Sequence, residues 1–284
     1  MSKTGAVTLL LLVLLSASVS AQDTVTIASW NIRNLGQSSD VEGRAMVIAQ
    51  FDLVALQEVK SLVGLDGLLS VLNRNLAEPL WEQTRSQLVG DRPASAYYYS
   101  FVYRNDRIRI AIWPKGSYPE ATPEIFSREP FFATFQAGVF DFTLIDVHIN
   151  SQSDSKQTAE CRRLADVWQY VQDLDPQEND LILLGDFNRD KPTHPAFNDL
   201  KDLGLQALVT TTGTRTTFGR TLTGGSWYDH MWIDPTYTAA EWTGQAGAGT
   251  PTNDSSGSGC PEALRGMSNH CPVWAVFRTT TDDD

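Results

Sequence analysis

Basic residues, cysteines and internal repeats are all scarce in this chain of 284 residues. Lys and Arg total 22 against 34 Asp and Glu, and the formal net charge of −12 argues against broad electrostatic attraction to nucleic acid or to an anionic membrane. A small cationic site that is supplied by a bound metal ion remains compatible with that charge. No repeat with a period of about 20 to 50 residues is found, which argues against a repeat architecture.

Long apolar segments are also lacking, except within residues 1–21. There, Lys3 precedes the apolar run AVTLLLLVLL, and the small residues ASVSA follow it. This pattern predicts a Sec-type signal peptide that is cleaved after Ala21; a membrane-anchoring helix, the alternative, would need about 20 apolar residues. We therefore expect a secreted or periplasmic mature chain, residues 22–284, with no membrane association.

The mature chain is long enough for one large domain or two smaller ones. With 42% hydrophobic residues and eight Trp it can bury a large core. The three Cys are at positions 161, 260 and 271. Cys260 and Cys271 flank a short loop, so in an oxidising compartment we expect them to pair. Cys161 shares a helical face with Leu164 and Trp168, which predicts a buried thiol.

Hydrophobic patterning predicts a mixture of strands and helices. The strand-like segments are VTIASW, LVALQE, YYYSFVYR, RIRIAIW, FFATFQ, FDFTLIDVHI, LILLGD, WYDHMWID and PVWAVF. Asn105-Asp106, between YYYSFVYR and RIRIAIW, predicts a hairpin turn. The mixed order of strands and helices indicates two packed sheets with helices outside.

Helices are predicted in four places. A capping box from Ser39 to Glu42 opens the first, which extends to about Gln50. The others cover residues 65–76, residues 155–174 and the segment AFNDLKDLG. The Gly- and Ser-rich segment 244–259 is predicted to be a flexible loop.

Polar side chains follow the predicted strands where each of them ends. They are Asn31, Glu58, His148, Asn150, Asp186 and Asn188, with Asp229, Asn269 and His270 near the last two strands. Side chains two apart on an extended segment share a face, so Asp186 and Asn188 are expected to converge, as are His148 and Asn150. Ligands bind at such sheet rims. Oxygen ligands without Cys suit Mg²⁺ or Ca²⁺, and His beside carboxylates suits acid–base catalysis.

Seven segments of the chain resemble the ordered motifs of one known family. They are IASWNIRNLG, LVALQEVKS, FSREP, LIDVHINS, LILLGDFNRD, WYDHMWI and SNHCPV. They resemble the endonuclease/exonuclease/phosphatase superfamily, and within it the deoxyribonuclease I branch. The resemblance covers nearly the whole mature chain and implies a four-layered α/β sandwich, in which two packed mixed β-sheets are flanked by helices. It also implies metal-dependent phosphodiester hydrolysis with Mg²⁺, or with Ca²⁺ or Mn²⁺.

The resemblance carries roles over by position. Glu58 corresponds to the metal-binding Glu, with Asn31 beside it. Asp186 corresponds to the residue that orients or deprotonates the attacking water, and Asn188 to one that holds the phosphate or a second metal. Asp229 corresponds to the residue that orients the last catalytic His. The two catalytic His correspond to His148 and His270. A transition state that gains negative charge requires a cation together with an acid and a base.

Four further residues are expected to bind the substrate. Arg33, Lys60 and Arg128 match positions at which deoxyribonucleases present cations to the phosphate backbone, and contacts of this kind position a strand without reading its sequence. Asn150 is the fourth. His230 stands where the family often has Arg, so it is either a phosphate contact or a solvated neighbour of Asp229.

Each assignment has an ordinary structural alternative. Asp186 and Asn188 could cap a turn, because Asx residues often do so. Glu58 could be an exposed residue after a strand, and Asp229 and His270 could form a structural ion pair. The occurrence of all of these in one ordered set favours function.

Two departures from the family pattern bear on activity. The last motif normally reads Ser-Asp-His, but here it is Ser268-Asn269-His270, so one carboxylate near the metal is replaced by an amide. In deoxyribonuclease I a Glu pairs with the first catalytic His. Here Tyr97 or a neighbouring residue takes that place, which would leave His148 less readily protonated.

Three classes of function remain open from the sequence. The favoured one is an exported, monomeric endonuclease that hydrolyses DNA without sequence specificity. A phosphatase or phospholipase of the same superfamily is the second. The third is a catalytically weakened relative that only binds nucleic acid, which Asn269 makes credible.

Overall fold

The computed structural model describes residues 23–37, 39–210, 215–219, 225–251 and 260–283. The expected signal peptide and residues 252–259 of the predicted loop lie outside the described residues. None of the described helices is both long enough and apolar enough to cross a bilayer.

Twelve strands and four α-helices make up the described part of the chain. The strands are β1 (Thr24–Leu35), β2 (Leu53–Val59), β3 (Trp81–Arg85), β4 (Tyr98–Arg104), β5 (Arg109–Ser117), β6 (Phe131–Ala137), β7 (Phe140–His148), β8 (Leu181–Asp186), β9 (Gln206–Ala207), β10 (Asp229–Ile233), β11 (Trp242–Ala248) and β12 (Val273–Arg278). The helices are α1 (Val41–Ile48), α2 (Leu62–Leu72), α3 (Asp154–Leu174) and α4 (Asn198–Asp202).

The strands form two six-stranded mixed sheets. The first sheet has the order β11-β12-β1-β2-β4-β3, and the second has the order β5-β6-β7-β8-β10-β9. Their inner faces share one apolar core that is rich in aromatic rings, including Phe101, Phe135 and Phe142. Helices α1 and α2 cover the outer face of the first sheet, and α3 and α4 cover that of the second. The expected four-layered sandwich is therefore the observed fold.

Helix α3 illustrates how local sequence produces an outer layer. The Ser153 hydroxyl accepts a hydrogen bond from the Lys156 backbone N–H, which satisfies one of the unpaired donors of the first turn. Leu164, Val167 and Val171 are buried against the second sheet, as the helical spacing predicts. The helix occupies almost the predicted range.

The predicted hairpin at Asn105-Asp106 is wrong. Strands β4 and β5 belong to different sheets, so the turn between them carries the chain from one sheet to the other. Each of the two strands presents one face to the same core between the sheets, where Phe101 and Ile110 lie. The hydrophobic pattern of a strand indicates which of its faces is buried, but it does not indicate which strand it pairs with.

Three element boundaries also differ from the prediction. Asp40, rather than Ser39, caps α1, because its carboxylate accepts from the Gly43 backbone N–H. Helix α2 begins at Leu62 and ends at Leu72, earlier than predicted at both ends. Residues 244–248 of the predicted loop belong to β11, which pairs with β12 despite its small residues.

The cysteines divide between a disulfide and a buried thiol. Cys260 and Cys271 are bonded, and Cys271 directly follows His270 in the chain. Cys161 is a free cysteine in the layer between α3 and the second sheet. Burial raises the pKa of the Cys161 thiol to about 12, so this group stays protonated and unreactive at neutral pH.

Candidate active site

The register of the second sheet places three acid–base side chains in one row. His148 at the end of β7 is paired with Asp186 at the end of β8, and Asp186 is paired with Asp229 at the start of β10. Gly185 makes this close approach possible. Its φ is +144°, and a Cβ at that position would lie 2.0 Å from the Val147 carbonyl oxygen. The glycine before the carboxylate therefore lets β8 pass against β7 and present Asp186 at the sheet edge.

The first sheet contributes the other half of the site. Asn31 lies near the end of β1 and Glu58 near the end of β2, which run parallel to each other. The Asn31 amide donates to Glu58 Oε1 at 3.1 Å and to Asp186 Oδ2 at 2.9 Å, so it bridges the two sheets. The site is thus formed by residues of both sheets, and it is complete only when the sheets are packed together.

Unusual backbone conformations are concentrated around these residues. Glu58, Arg33, Asn34 and Asn188 all have positive φ, between 48° and 62°. Such conformations cost free energy for residues with a Cβ and persist where the surrounding structure enforces them, which is common at functional sites. The backbone therefore changes direction at these strand ends, and the changes of direction coincide with the polar motifs.

Two imidazoles face one carboxylate. The Nε2 atoms of His148 and His270 each lie 3.6 Å from Asp186 Oδ2. On its other side, the Nδ1 atom of His270 lies 2.9 Å from Asp229 Oδ2. The Asp229 carboxylate is fully buried, so it fixes both the ring orientation of His270 and the nitrogen that carries a proton.

Electrostatics separates the roles of these groups. Burial opposes protonation of His270, but Asp229 and Asp186 outweigh it and raise its pKa to about 9. Burial raises the pKa of Asp186 to about 6, against the lowering effects of His270 and of the hydrogen bonds from Asn31 and the Asn188 backbone. At neutral pH the site therefore holds an imidazolium beside a carboxylate that can accept a proton.

His148 differs from His270 because it has no carboxylate behind it. Its Nδ1 atom is buried without a hydrogen-bond partner among the described residues. The Tyr97 ring lies 6.2 Å from the His148 ring, and the Tyr97 hydroxyl bonds to Asn34 instead. Burial lowers the pKa of His148, and the charges of Arg128 and His270 lower it further. This imidazole is neutral at pH 7.

The oxygen donors of the site fit a hard divalent cation. The carboxylates of Glu58 and Asp186 lie on either side of the Asn31 amide. Ligand atoms of Asp186, Asp229 and His270 also lie within 4.8 Å of one another. In this arrangement Asn31 donates to both carboxylates, and its own oxygen accepts from the Arg33 backbone N–H. Carboxylate oxygens are the ligands that such ions prefer.

Comparison with known proteins agrees with this geometry. The model of the endonuclease/exonuclease/phosphatase family matches residues 28–249, which is most of the chain. The chain belongs to this family. A deoxyribonuclease of Thioalkalivibrio sp. (strain K90mix) is 28% identical over 291 residues, covering 99% of this chain and 78% of that protein. Human deoxyribonuclease gamma is 28% identical over 191 residues, covering 62% of this chain and 60% of that protein.

Solved structures of family members share the fold. A family protein from Bacteroides thetaiotaomicron superposes with a TM-score of 0.63 at 17% identity, covering 92% of this chain and 98% of that one. A mannosyl-6-phosphatase from the same organism superposes with a TM-score of 0.61 at 17% identity, covering 88% and 98%. This chain therefore shares its fold with a protein that is named a phosphatase.

Three asparagines that were expected in the site differ from one another in their contacts and burial. Asn188 donates its side-chain amide to the Ile149 carbonyl, and its backbone N–H donates to Asp186 Oδ1. Asn150 is buried; its amide donates to Ser127 Oγ and its oxygen accepts from the Gln152 backbone N–H, so it does not converge with His148. Asn269 is exposed between Ser268 and His270.

The three expected phosphate-binding cations also differ from one another. The Lys60 ammonium donates to the carbonyls of Pro93, Ala94 and Ala96, which uses all of its N–H groups. Arg128 is buried and donates to the carbonyls of His148 and Ile149. Arg33 is exposed, and its guanidinium has no hydrogen bond or ion pair with the described residues. Only Arg33 presents an unengaged cation.

His230 is neither a phosphate contact nor a solvated residue. It is buried against the rings of Phe187 and Phe197, and its Nε2 atom bonds to the Arg189 carbonyl. Burial lowers the pKa of His230 to about 4. Where the family often has Arg, this chain has a neutral residue of the core.

Two residues that support the site escaped sequence reasoning. Glu160 on α3 accepts from the backbone N–H groups of Ser127 and Asn150, at 2.9 and 2.7 Å. Ser268 donates to the Asn31 carbonyl and accepts from the His270 backbone N–H. Ser268 lies within the SNH motif, in which the Asn and the His were the predicted site residues. Glu160 lies on an amphipathic helix, and no local sequence pattern marks it as part of a site.

Proposed function

We propose that this protein is an exported, divalent-metal-dependent endonuclease that hydrolyses DNA without sequence specificity. One observation carries the proposal: a buried carboxylate, Asp186, lies at equal distance from two imidazoles, and only His270 is backed by a second carboxylate. This arrangement provides a proton acceptor beside a proton donor, as displacement at phosphorus requires.

The residues divide the reaction between them. Asp186 orients a water molecule and accepts its proton as the water oxygen forms a bond to phosphorus. The bond from phosphorus to the leaving oxygen breaks, and the His270 imidazolium gives that oxygen its Nε2 proton. Asp229 stabilises the imidazolium and holds its tautomer. Neutral His148 lies across Asp186 from the donor and bonds a phosphoryl oxygen.

Glu58 and Asp186 would hold the metal ion, with Asn31 spacing the two carboxylates and Asn269 at the margin. We propose Mg²⁺ as this ion, with Ca²⁺ or Mn²⁺ as substitutes, because every ligand is an oxygen. When bound, the cation supplies positive charge to the phosphoryl oxygens during the displacement. Asn188 helps to hold the phosphate, since its bent backbone lies directly beside Asp186.

The choice of DNA rests on the relatives that are named deoxyribonucleases, which match this chain in sequence. The phosphatase similarity is one of fold alone. Export to the periplasm or the medium rests on the pattern of residues 1–21, with residues 22–284 as one monomeric domain. N-terminal sequencing of the exported protein should give Gln22 as its first residue.

The decisive test compares two Glu→Gln variants with supercoiled plasmid as substrate. Glu58→Gln removes the charge that we assign to metal binding and should reduce the nicking rate by several orders of magnitude, on the order of the effect of losing a catalytic metal. Glu82→Gln is the matched control, because Glu82 is on β3 of the same sheet and, within the described part of the chain, its carboxylate bonds to Tyr103 and Asn105 alone. Nicking that survives both Glu58→Gln and a chelator would rule out the metal mechanism.

A catalytically weakened relative is the second candidate. Two observations favour it: Asn269 replaces the family Asp, and His148 Nδ1 has no hydrogen-bond partner among the residues that the structure describes. Wild-type protein should be assayed on plasmid, RNA, a sugar phosphate and a lipid phosphodiester with Mg²⁺. Hydrolysis of none of them, with retained DNA binding, would favour this candidate. Hydrolysis of the sugar phosphate or of the lipid alone would favour a phosphatase or a phospholipase.

A further inference from the structure

A polar link crosses the apolar core directly behind the site. The Gln57 side-chain amide on β2 donates to Asp146 Oδ1 on β7 at 2.7 Å and to Ser29 Oγ on β1 at 3.1 Å. All three residues are fully buried. One amide therefore joins two strands of the first sheet to a central strand of the second.

The link lies next to the groups that form the site. Gln57 directly precedes Glu58, Asp146 is two residues before His148, and Ser29 is two residues before Asn31. Each strand that the amide joins thus carries a site residue one or two positions farther along. A shift of β2 relative to β7 would change the separation of Glu58 Oε1 and His148 Nε2, which is 3.9 Å.

Few other polar contacts hold the sheets in register. Among the strand residues that the structure describes, two further side-chain hydrogen bonds cross between the sheets: Asn31 to Asp186, and the His148 backbone N–H to the Tyr99 hydroxyl. The remainder of the shared core is apolar. Apolar contacts are non-directional, so they favour packing without fixing a register, whereas a buried hydrogen bond requires one.

We propose that Gln57 and Asp146 are positioning residues that set the register of the two sheets and thereby place Glu58 opposite His148 and Asp186. Burial raises the pKa of Asp146 well above its usual range, which favours the neutral form of this buried carboxyl group. As far as catalysis is concerned, this inference rests on the proposed hydrolytic function.

The test replaces both partners at once, by Gln57→Leu with Asp146→Val. Removing both ends of the Gln57–Asp146 hydrogen bond leaves neither of these partners unsatisfied, and the Ser29 hydroxyl is the group that loses a donor, so the free energy of unfolding should fall less than in a single replacement of Gln57. The value of kcat should nevertheless fall by about 10- to 100-fold, since a displacement of about 1 Å at a catalytic group has effects of this size. KM for DNA should stay near the wild-type value, because the groups that contact the strand are unchanged.

Two further variants separate positioning from stability. Asp146→Asn keeps an oxygen acceptor for the Gln57 amide and should retain the wild-type kcat. Thr134→Val with Thr143→Val removes a buried hydroxyl pair, 2.6 Å apart, that joins β6 to β7 within one sheet, and it should leave kcat unchanged. If the Thr variant lowers kcat as much as the Gln57 and Asp146 variant does, a specific role for the link is overturned.

A structure of the Gln57 and Asp146 variant gives a readout that does not depend on activity. The distance from Asn31 Nδ2 to Asp186 Oδ2, now 2.9 Å, should lengthen beyond hydrogen-bond range. An unchanged distance would overturn the inference, even if wild-type protein hydrolyses no phosphodiester and the proposed function fails. If the double variant does not fold, Gln57→Met, which removes only the amide, is subject to the same criteria.

Discussion

At the scale of single residues, the site depends on how two histidines are supported. The Asp229 carboxylate bonds to Nδ1 of His270, whereas Nδ1 of His148 has no partner in the described part of the chain, and Arg128 donates to the His148 backbone carbonyl. The same side-chain type therefore has opposite protonation states at pH 7, a raised pKa in one case and a lowered pKa in the other. The assignment of His270 as the proton donor follows from that difference.

Asp229→Asn should weaken activity most at alkaline pH. The raised pKa of His270, about 9, depends on the nearby negative charges of Asp229 and Asp186. Removing one of them lowers the pKa, so the proton donor is lost at a lower pH and the alkaline limb of the kcat–pH profile should move toward neutrality. The control is Asp141→Asn, at the opposite end of β7 from His148. An alkaline limb that stays at about pH 9 in Asp229→Asn would contradict the role of His270.

Asn269→Asp should raise activity and improve metal binding. Asp and Asn have nearly the same shape, and the added negative charge beside the site should strengthen the hold on a divalent cation. We expect a higher nicking rate and a lower Mg²⁺ concentration at half-maximal rate. Asn198→Asp, an exposed substitution on α4, controls for net charge. Equal rates and equal metal dependence in wild-type protein and Asn269→Asp would place residue 269 outside the working site.

At the scale of elements, helix α3 supports the site from behind the second sheet. Glu160 lies on the buried face of α3 and accepts from two backbone N–H groups, one in the segment before β6 and one just after β7. Arg128, from the same FSREP segment, donates to the carbonyls of His148 and Ile149. Residues that a motif search assigns to the substrate thus fix the backbone that carries His148.

Glu160→Gln should lower both stability and kcat. The amide provides one acceptor in place of two and turns an NH₂ group toward a backbone N–H, which leaves a buried donor unsatisfied at a cost of about 1–3 kcal/mol. Urea unfolding measures the first effect and plasmid nicking measures the second. Asp166→Asn, exposed on the same helix, should change neither. A destabilised variant with wild-type kcat would restrict Glu160 to a role in folding.

At the scale of the whole molecule, charge limits how DNA can be bound. The net charge of −12 provides no general attraction for a polyanion. Lys60 and Arg128 are engaged by backbone carbonyls, which leaves Arg33 as the unengaged cation among the three that were expected to contact phosphate. Binding should therefore depend on few phosphate contacts and on the metal ion.

The salt dependence of DNA binding tests this view. With Glu58→Gln as a catalytically impaired background, the plot of log Kd against log salt concentration should be shallow, with a slope that corresponds to roughly one to three phosphates. Arg33→Ala should reduce the slope by about one. Lys60→Ala should change stability more than it changes the slope, because the ammonium bonds to backbone carbonyls of the segment between β3 and β4. A steep slope that is lost with Lys60 would contradict the internal role of that residue.

The sequence by itself determined the family, the layers and the identity of the polar groups at the strand ends. These features are readable because alternation, helical spacing and motif order are local properties of the chain. Asn31, Glu58, His148, Asp186, Asp229 and His270 are brought together as the motifs predict. From their chemical types, the sequence predicts acid–base chemistry with an oxygen-bound cation.

Only the tertiary structure decided how these groups are partnered. It assigned β4 and β5 to different sheets, turned Lys60 and Arg128 toward backbone carbonyls, and joined Gln57 to Asp146. Each of these outcomes depends on contacts between segments far apart in the chain, and such contacts leave no periodic trace in the local sequence. A Lys or Arg in a motif has the same local sequence whether it contacts a phosphate or a backbone carbonyl, because the tertiary fold determines which group lies beside it.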